Sequence, residues 1–336
     1  MTQTPGTNLQ IRLAARPKGL PQDSDFQSVE GPIPQPEEGQ VLVRNILLSL
    51  DPAMRGWMNE GRSYVPPVGL GEVMRGLTVG EVAESRHPDF KPGDLVSGIL
   101  GWQRYAVARG KELTRIPPGI APAVALGPLG MTGLTAYFGL LDVGQLKAGE
   151  TVLVSGAAGA VGSIVGQIAK IQGCRAVGIA GTDEKCRWLN RDLGFDAAIN
   201  YKTAKDLHEE IRGACPKGID VFFDNVGGEI LDTALRSLAL HARVVICGAV
   251  SQYNATGPMK GPSHYMALLV QRARMEGFVV MDYHARYAEA QGHLGRWLAE
   301  GRLHYREDIV DGLENAPKAL LRLFDGSNKG KLMVRI

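Results

Sequence analysis

Cysteine is scarce in this sequence, and its four copies are not clustered. Cys174, Cys186, Cys215 and Cys247 are widely scattered, and no two of them form a Cys-x-x-Cys pair. Zinc sites usually need closely spaced Cys and His ligands, and the seven histidines lie in no recognisable metal or nucleophile motif. We therefore expect neutral thiols in a reducing compartment and no bound metal.

Several other features are missing, and each absence excludes a class of protein. The net charge is +2 with no long run of one sign, which argues against a nucleic-acid partner. No stretch approaches the roughly 20 apolar residues that span a bilayer. Met1–Arg16 has no apolar core typical of a signal peptide, so we expect a cytoplasmic protein without membrane partners. Gly-x-Ser-x-Gly is absent, so serine-hydrolase chemistry has no support.

Glycine, in contrast, is abundant, with 43 copies in 336 residues. In the first 125 residues, short apolar runs alternate with Gly- and Pro-rich turns. Val41–Ile46, Leu77–Ala83 and Leu95–Leu100 are examples of these runs. This pattern predicts a mostly β, barrel-like domain over residues 1–125.

Residues 126–300 read differently, as strands alternating with helices. The spacing predicts helix-like structure over Ala123–Leu141 and then an alternating series. The predicted strands are Thr151–Ser155, Arg175–Ile179, Val221–Asp224 and Val244–Cys247, and the predicted helices are Val161–Gln172, Glu184–Leu193, Leu231–Leu238 and Glu289–Glu300. Such alternation is typical of a doubly wound parallel sheet. Residues 301–336 return to mixed character, and Gly330–Ile336 is expected to add a strand to the first domain.

The strongest local signal is a glycine-rich turn between a buried strand and a helix. It comprises Gly156, Ala157, Ala158, Gly159, Ala160, Val161 and Gly162, with G-x-x-G-x-x-G spacing. Gly156 suits the tight turn, Gly159 a close approach to a pyrophosphate, and Gly162 close packing of the helix on the sheet. Glycines also mark any tight strand–helix turn, but the flanking strand, helix and later alternation favour a dinucleotide site.

The second predicted strand bears on which dinucleotide is bound. NAD-binding units usually end this strand with an acidic residue, whereas here it ends in Gly178–Thr182. Asp183 and Glu184 come later and suit the start of the next helix. Thr182 and Lys185 offer the hydroxyl and the cation that a 2′-phosphate needs, although Lys185 also fits a solvated helix position. We therefore favour NADPH over NADH.

At this point the sequence resembles a known family along nearly its whole length. The segments that carry the resemblance are Leu48–Gly56, Ser63–Val68, Val73–Gly76, Met131–Tyr137, the glycine turn, Asp224–Gly228 and Met275–Phe278. They are similar to zinc-independent medium-chain dehydrogenases/reductases of the group that contains leukotriene dehydrogenase/prostaglandin reductase, plant alkenal double-bond reductases and bacterial curcumin reductase. Each motif is modest, but their number and order make the resemblance specific.

The resemblance implies an α/β protein with a GroES-like β-barrel domain, a Rossmann domain and a C-terminal segment that returns to the barrel. It also implies NADPH, a small-molecule substrate and a homodimer. The positions it assigns to the cofactor are Lys185 and Tyr201 at the 2′-phosphate, Asn225, Tyr253 and Asn328 at other contacts, and the backbone of Phe278, Val279 and Val280 beside the nicotinamide. We also assign Cys247 to the cofactor site. Taken alone, the two tyrosines would be packing residues and the two asparagines turn residues.

The sequence departs from the family at one position. Several relatives place a tyrosine that helps the substrate carbonyl a few residues before the Met-Glu-Gly-Phe segment. Aligned without gaps, this chain has Val270 there, with Tyr265 and Tyr283 nearby. This chain therefore lacks a tyrosine at the position where those relatives use one as an acid.

The chemistry that the resemblance implies is reduction of the C=C bond of α,β-unsaturated aldehydes and ketones, in which a donor must stabilise charge on the carbonyl oxygen. Tyr64, in a loop flanked by Gly and Pro, is our side-chain candidate, with a pocket-shaping role as its alternative. A cofactor ribose hydroxyl is a second candidate donor, and water could supply the α-carbon proton. Alternative functions are an NADPH-dependent quinone reductase and a low-turnover NADPH-binding protein.

Overall fold

The computed structural model describes residues 6–336. Met1–Pro5, the start of the segment searched for a signal peptide, lie outside the described residues. The chain divides into two compact units. The first comprises the described residues up to Leu126 together with Glu307–Ile336, and the second is Gly127–Arg306.

The first unit is built mainly from strands. They are β1 (Asn8–Leu13), β2 (Phe26–Gly31), β3 (Gln40–Ser49), β4 (Thr78–Ser85), β5 (Leu95–Gly98), β6 (Tyr105–Arg109), β7 (Thr114–Arg115), β14 (Glu307–Asp311) and β15 (Lys331–Arg335). Its helices are α1 (Met54–Trp57), α2 (Pro122–Leu126) and α10 (Ala316–Asp325).

Seven of these strands form one mixed sheet. Their order is β14-β15-β3-β4-β5-β7, with β6 paired to β3, while β1 and β2 form a separate antiparallel pair. β15 runs antiparallel to β3, which confirms the strand predicted within Gly330–Ile336. Between residues 6 and 336 no pairing joins β7 to β14, so the sheet stays open where the sequence led us to expect a barrel. Met54, Trp102 and Leu320 lie in one buried cluster of this unit.

The second unit confirms the predicted doubly wound parallel sheet. Its strands are β8 (Thr151–Val154), β9 (Arg175–Ala180), β10 (Ala197–Asn200), β11 (Ile219–Asp224), β12 (Leu238–Ile246) and β13 (Arg274–Gly277). All five pairings are parallel, and the order β10-β9-β8-β11-β12-β13 is the 3-2-1-4-5-6 order of a dinucleotide-binding fold. The strand order reverses between β8 and β11, which is where ligands bind in such sheets.

Helices cover both faces of this sheet. They are α3 (Met131–Phe138), α4 (Ala160–Ile171), α5 (Asp183–Arg191), α6 (Leu207–Ala214), α7 (Gly228–Leu235), α8 (Met266–Val270) and α9 (Tyr287–Ala299). Along β8, Val152 and Val154 share a core with Ile164 of α4, whereas Leu153 shares the opposite core with Ile230 of α7. Burial on both faces explains why this strand reads as a continuous apolar run.

Two predicted helices were partly wrong. The segment Ala123–Leu141 is interrupted after Leu126 and resumes at Met131. Pro128 lies in the interruption, and a proline disfavours helical geometry in the residue before it. Leu238, predicted as the end of a helix, begins β12 and pairs with Ile219 of β11. In the described part of the chain, no helix has the length and apolar character needed to cross a membrane.

Candidate functional site

The turn between β8 and α4 has the backbone geometry that its glycines permit. Gly156 has φ +58°, a left-handed conformation that other residues rarely adopt. A Cβ at Gly162 would lie 2.5 Å from the carbonyl oxygen of Gly156 and 2.8 Å from Cα of Ala157. No larger residue fits at Gly162 unless the turn moves, so the close packing of α4 on this corner depends on that glycine.

The amino end of α4 provides a donor set without side chains. Gly159 is the N-cap residue, and among the described residues no side chain caps this helix end. The first backbone N–H groups of any helix lack partners within it and carry partial positive charge. The N–H of Gly159 already donates to the carbonyl oxygen of Gly156 at 2.9 Å, whereas Ala160 and Val161, the first two residues of α4, are partly exposed. The arrangement fits a pyrophosphate, which needs several N–H donors on a surface free of bulky side chains.

A buried carboxylate, which sequence analysis missed, joins this turn to the end of the neighbouring strand β11. Ser155 Oγ donates a 2.6 Å hydrogen bond to Asp224 Oδ1, and both side chains are buried. The same carboxylate accepts hydrogen bonds from the backbone N–H groups of Val226 and Gly227. Burial raises the pKa of Asp224, although the hydrogen bonds that it accepts oppose that rise. Asp224 therefore fixes the spacing of two turns.

Three predicted cofactor residues come together at the ends of β11 and β12. Asn225 Nδ2 donates to the carbonyl oxygen of Ser155 at 2.7 Å. The N–H of Cys247 donates to the carbonyl oxygen of Asp224 at 2.9 Å. The hydroxyl of Tyr253 accepts from the N–H of Ala249 at 3.2 Å. Burial, reinforced by the charge of Asp224, raises the pKa of Cys247 to about 12, so this thiol stays neutral.

A second predicted group surrounds Gly181, at the end of β9. Thr182 is the N-cap of α5, and its hydroxyl oxygen accepts from the N–H of Lys185 at 3.2 Å. A Cβ at Gly181 would lie 3.2 Å from the Tyr201 ring and 3.3 Å from Cε of Lys202. The fold thus brings Thr182, Lys185 and Tyr201 to one corner, as the 2′-phosphate hypothesis requires.

Lys202 was not predicted as a site residue. Its side chain reaches the same corner because β10 lies beside β9 in the parallel sheet. The sequence signal that could have identified Lys202 as a site residue was its position directly after Tyr201. A lysine after a short strand is common, and the strand pairing is what brings this one next to Gly181.

The segment Phe278–Val280 follows the edge strand β13. The ring of Phe278 packs edge-on against Phe223 with centroids 6.4 Å apart, and the carbonyl oxygen of Val280 accepts from the Tyr287 hydroxyl at 3.1 Å. Tyr283 stacks on Phe138 with centroids 4.6 Å apart, which makes it a packing residue.

The other residues considered near that segment belong to α8 and its first turn. Val270, at the position where relatives have a tyrosine, is 65% exposed, and Tyr265 is 58% exposed. These two side chains are therefore available at the surface of the second unit.

Two predicted site residues, Tyr64 and Asn328, belong to the first unit. Tyr64 lies in the loop between α1 and β4 and is 53% exposed. Its hydroxyl oxygen accepts from Nε1 of Trp57 at 3.2 Å. Asn328 is buried in the turn before β15, where Nδ2 donates to the carbonyl oxygen of Gly330 at 3.1 Å.

Comparison with known proteins adds two family matches. Residues 9–116 match a family described as the N-terminal domain of oxidoreductase, and residues 160–294 match one described as zinc-binding dehydrogenase. Despite the second description, residues 6–336 contain no group of three or more His, Cys, Asp or Glu side chains arranged to hold a metal ion.

Individual relatives align over almost the full chain. The sequence is 47% identical to the NADPH-dependent curcumin reductase of Escherichia coli (strain K12), covering 100% of this chain and 99% of that protein. It is 41% identical to the 2-alkenal reductase (NADP(+)-dependent) of Nicotiana tabacum, covering 98% of each. The crystal structure of CurA in complex with NADPH from Vibrio vulnificus is similar with a TM-score of 0.93 and 46% identity, covering 97% of this chain and 98% of that one.

Proposed function

The chain belongs to the zinc-independent branch of the medium-chain dehydrogenase/reductase family, and on that premise we propose that it reduces the C=C bond of α,β-unsaturated aldehydes and ketones with NADPH. The uncapped, glycine-lined start of α4 at the strand-order reversal is the observation that most supports the nucleotide cofactor. The curcumin and 2-alkenal reductases, similar over nearly the whole chain, support the substrate class.

In this proposal, different residues of the second unit bind different parts of the cofactor. The backbone of Gly156–Gly162 holds the pyrophosphate, and Thr182, Lys185 and Tyr201, joined by Lys202, hold the 2′-phosphate. The other positions that the resemblance assigns to the cofactor are Asn225, Tyr253, Phe278, Val279, Val280 and Asn328, to which we add Cys247. When bound, NADPH supplies a hydride to the β-carbon of the substrate.

The protein must then stabilise the negative charge that develops on the substrate carbonyl oxygen. A preorganised hydrogen-bond donor aimed at that oxygen is worth roughly 10²–10³ in rate. Tyr64 is the donor we propose, because its phenol is half-exposed and a side chain holds its oxygen in place. Tyr283 is unsuited to this role, since its ring is packed between Phe138 and Phe278.

Substrate profiling tests the proposal directly. The protein is incubated with NADPH and, in separate reactions, a 2-alkenal, an enone, a quinone and a saturated aldehyde, and the products are identified by mass spectrometry. We expect the saturated carbonyl product from the alkenal and the enone. Turnover of the quinone alone would instead establish a quinone reductase. NADPH binding without oxidation by any of the four would indicate a cofactor-binding protein.

We further propose that two copies of the chain form a homodimer through the edge of the second unit's sheet. β13 pairs with β12 and has no second strand partner among the described residues. Next to it, α8 exposes Leu269 to 69% and Val270 to 65%, and Met266 is 50% exposed. An unpaired strand edge beside an apolar surface is an association site, and two identical edges satisfy each other around a twofold axis.

Light scattering coupled to size-exclusion chromatography tests the dimer. Leu269→Lys places a charge in the proposed interface, and we expect it to convert the dimer to a monomer. Leu20→Lys is the matched control, because Leu20 is 48% exposed and lies in the first unit. A monomeric parent protein at micromolar concentration would refute this part of the proposal.

A further inference from the structure

The turns that follow β9 and β10 meet at Gly181, and strand pairing brings them there. β10 runs parallel to β9, with Asn200 opposite Ala180. The N–H of Tyr201 donates to the carbonyl oxygen of Ala180 at 3.1 Å, which extends the pairing by one hydrogen bond. The pairing thus fixes where β10 ends, and the course of the chain after Tyr201 is set by other contacts.

Asn200, the last residue of β10, sets that course. Its side-chain oxygen Oδ1 accepts from the N–H of Lys202 at 3.2 Å. Its carbonyl oxygen accepts from the N–H groups of Thr203 at 3.1 Å and Ala204 at 3.0 Å. An asparagine that accepts from the backbone two residues ahead stabilises a turn. Asn200 therefore fixes the turn that carries Tyr201 and Lys202, two of the residues proposed at the 2′-phosphate.

The same side chain also contacts the start of α5. Nδ2 of Asn200 donates to Oδ1 of Asp183 at 2.6 Å. Asp183 is the first residue of α5 and directly follows the N-cap residue Thr182. A carboxamide has both a donor and an acceptor, and here it uses one on each of the two turns. Asn200 thus joins the turn after β10 to the start of α5.

The charge of Asp183 is by itself unfavourable for a phosphate bound at this corner. The carboxylate follows Thr182, which is proposed to contact the 2′-phosphate, and a phosphate beside an acidic side chain is repelled. The hydrogen bond to Asn200 ties this carboxylate to the end of β10. Any benefit of Asp183 to the phosphate site must therefore come from its bond with Asn200 and not from its charge.

We propose that Asn200 is a positioning residue for the 2′-phosphate site, and that its hydrogen bond to Asp183 sets the distance between the two turns that bind this phosphate. The inference rests on the cofactor contacts of the proposed function and adds a residue that acts through others. Every residue it involves lies in the second unit. The bond holds the Thr182 hydroxyl and the Lys202 cation at a fixed spacing before the ligand arrives, which lowers the cost of binding.

Isothermal titration calorimetry with two probes measures this site without substrate or turnover. Adenosine 2′,5′-bisphosphate carries the 2′-phosphate, and adenosine 5′-phosphate lacks it. We expect Asp183→Ala to raise the Kd of the bisphosphate roughly 3- to 10-fold, the cost of one hydrogen bond, and to change the Kd of the monophosphate less than about twofold. Charge alone predicts the opposite sign, because removal of a carboxylate favours binding of an anion. A general loosening of the unit would weaken both probes.

Asp183→Asn separates the hydrogen bond from the charge. Its amide oxygen can still accept from Asn200, so the Kd of the bisphosphate should be no higher than in the parent protein. Asn200→Ala should raise that Kd at least as much as Asp183→Ala, because the contact with the Lys202 N–H is lost as well. Adding Asp183→Ala to Asn200→Ala should have no further effect.

Asn190→Ala is the matched control, because Asn190 is an exposed asparagine two turns beyond Asp183 on α5, and both probes should bind it as they bind the parent. A parent protein that does not prefer the bisphosphate would refute the proposed 2′-phosphate contacts and the inference with them. The inference alone is overturned if the parent prefers the bisphosphate while Asp183→Ala keeps the parent Kd, or if Asp183→Asn is as impaired as Asp183→Ala. Lack of C=C reduction would refute the proposed reaction and leave these Kd values unchanged.

Discussion

The two strand-to-helix turns at the ends of β8 and β9 lie side by side and differ in composition and in helix capping. The β8–α4 turn contains only small residues from Gly156 to Ala160, and no described side chain caps its helix. The β9–α5 turn is polar, and Thr182 caps its helix by accepting from the N–H of Lys185. The first turn would bind a ligand through the shape of its backbone. The second would do so through the charge and hydrogen bonds of its side chains.

On the proposed cofactor contacts, this difference would separate affinity for a dinucleotide from selectivity between NADPH and NADH. Every nicotinamide dinucleotide has a pyrophosphate, so the backbone of the first turn cannot distinguish NADPH from NADH. Only NADPH carries the 2′-phosphate, so the cations of the second turn can distinguish NADPH from NADH. Substitutions in the two turns should therefore have different consequences.

The largest effect is expected from Gly159→Val in the first turn. Gly159 has φ −81° and ψ 175°, a conformation open to valine, and a Cβ there would meet only the carbonyl oxygen of Gly156, at 3.2 Å. The fold should therefore survive, while the side chain keeps the pyrophosphate from the N–H groups. Because a hydrogen bond to a charged group is worth about 1.5–3 kcal/mol, we expect the Kd values of NADPH and NADH both to rise more than about tenfold in fluorescence titrations.

Gly213→Ala controls for the loss of a glycine as such. Gly213 is exposed in α6, and a Cβ there would have no neighbour within 4 Å. The Gly213→Ala variant should bind both nucleotides with the affinities of the parent protein. Unchanged binding of both nucleotides by Gly159→Val would show that the pyrophosphate does not approach this turn.

A smaller and more selective effect is expected from Lys185→Ala in the second turn. Losing one charge-assisted hydrogen bond to the 2′-phosphate should raise the KM for NADPH about 10- to 100-fold and that for NADH less than about twofold. Arg187→Ala is the control, because Arg187 is exposed two positions further along α5 and so faces away from Lys185. Equal changes for the two cofactors would contradict the division of labour between the turns.

The smallest effect is expected from Thr182→Ala, which removes the cap of α5. Loss of an N-cap side chain costs about 1 kcal/mol of unfolding free energy, so Tm should fall by about 2–4 °C in calorimetry. Thr182→Ser keeps the hydroxyl and should restore the parent Tm. A parent-like Tm in Thr182→Ala would remove the capping role.

The same contrast explains how much the sequence could predict. The β8–α4 corner was predictable because a buried strand, spaced glycines and an apolar helix follow one another within Thr151–Ile171. β10 and β13 were missed. β10 is four residues long, and β13 is a sheet edge with exposed Arg274 and Glu276, so neither has the apolar run of a central strand.

Contacts between distant residues were also beyond local patterns. Ser155 and Asp224 are 69 positions apart, and their hydrogen bond exists only because β8 and β11 are neighbours in the sheet. The same is true of Lys202, whose place beside Gly181 follows from the pairing of β9 and β10. Pairing of strands fixes these parts of the site, and no spacing within one segment encodes it.

The pairing of β15 with β3 has a consequence for biosynthesis. Because the first unit recruits Lys331–Arg335, its sheet cannot be completed until the ribosome has added those residues. Every residue of Gly127–Arg306 is made before them, so the second unit has its full sequence earlier. A nascent chain that has reached Arg306 would thus contain the full sequence of the second unit while that of the first is still incomplete.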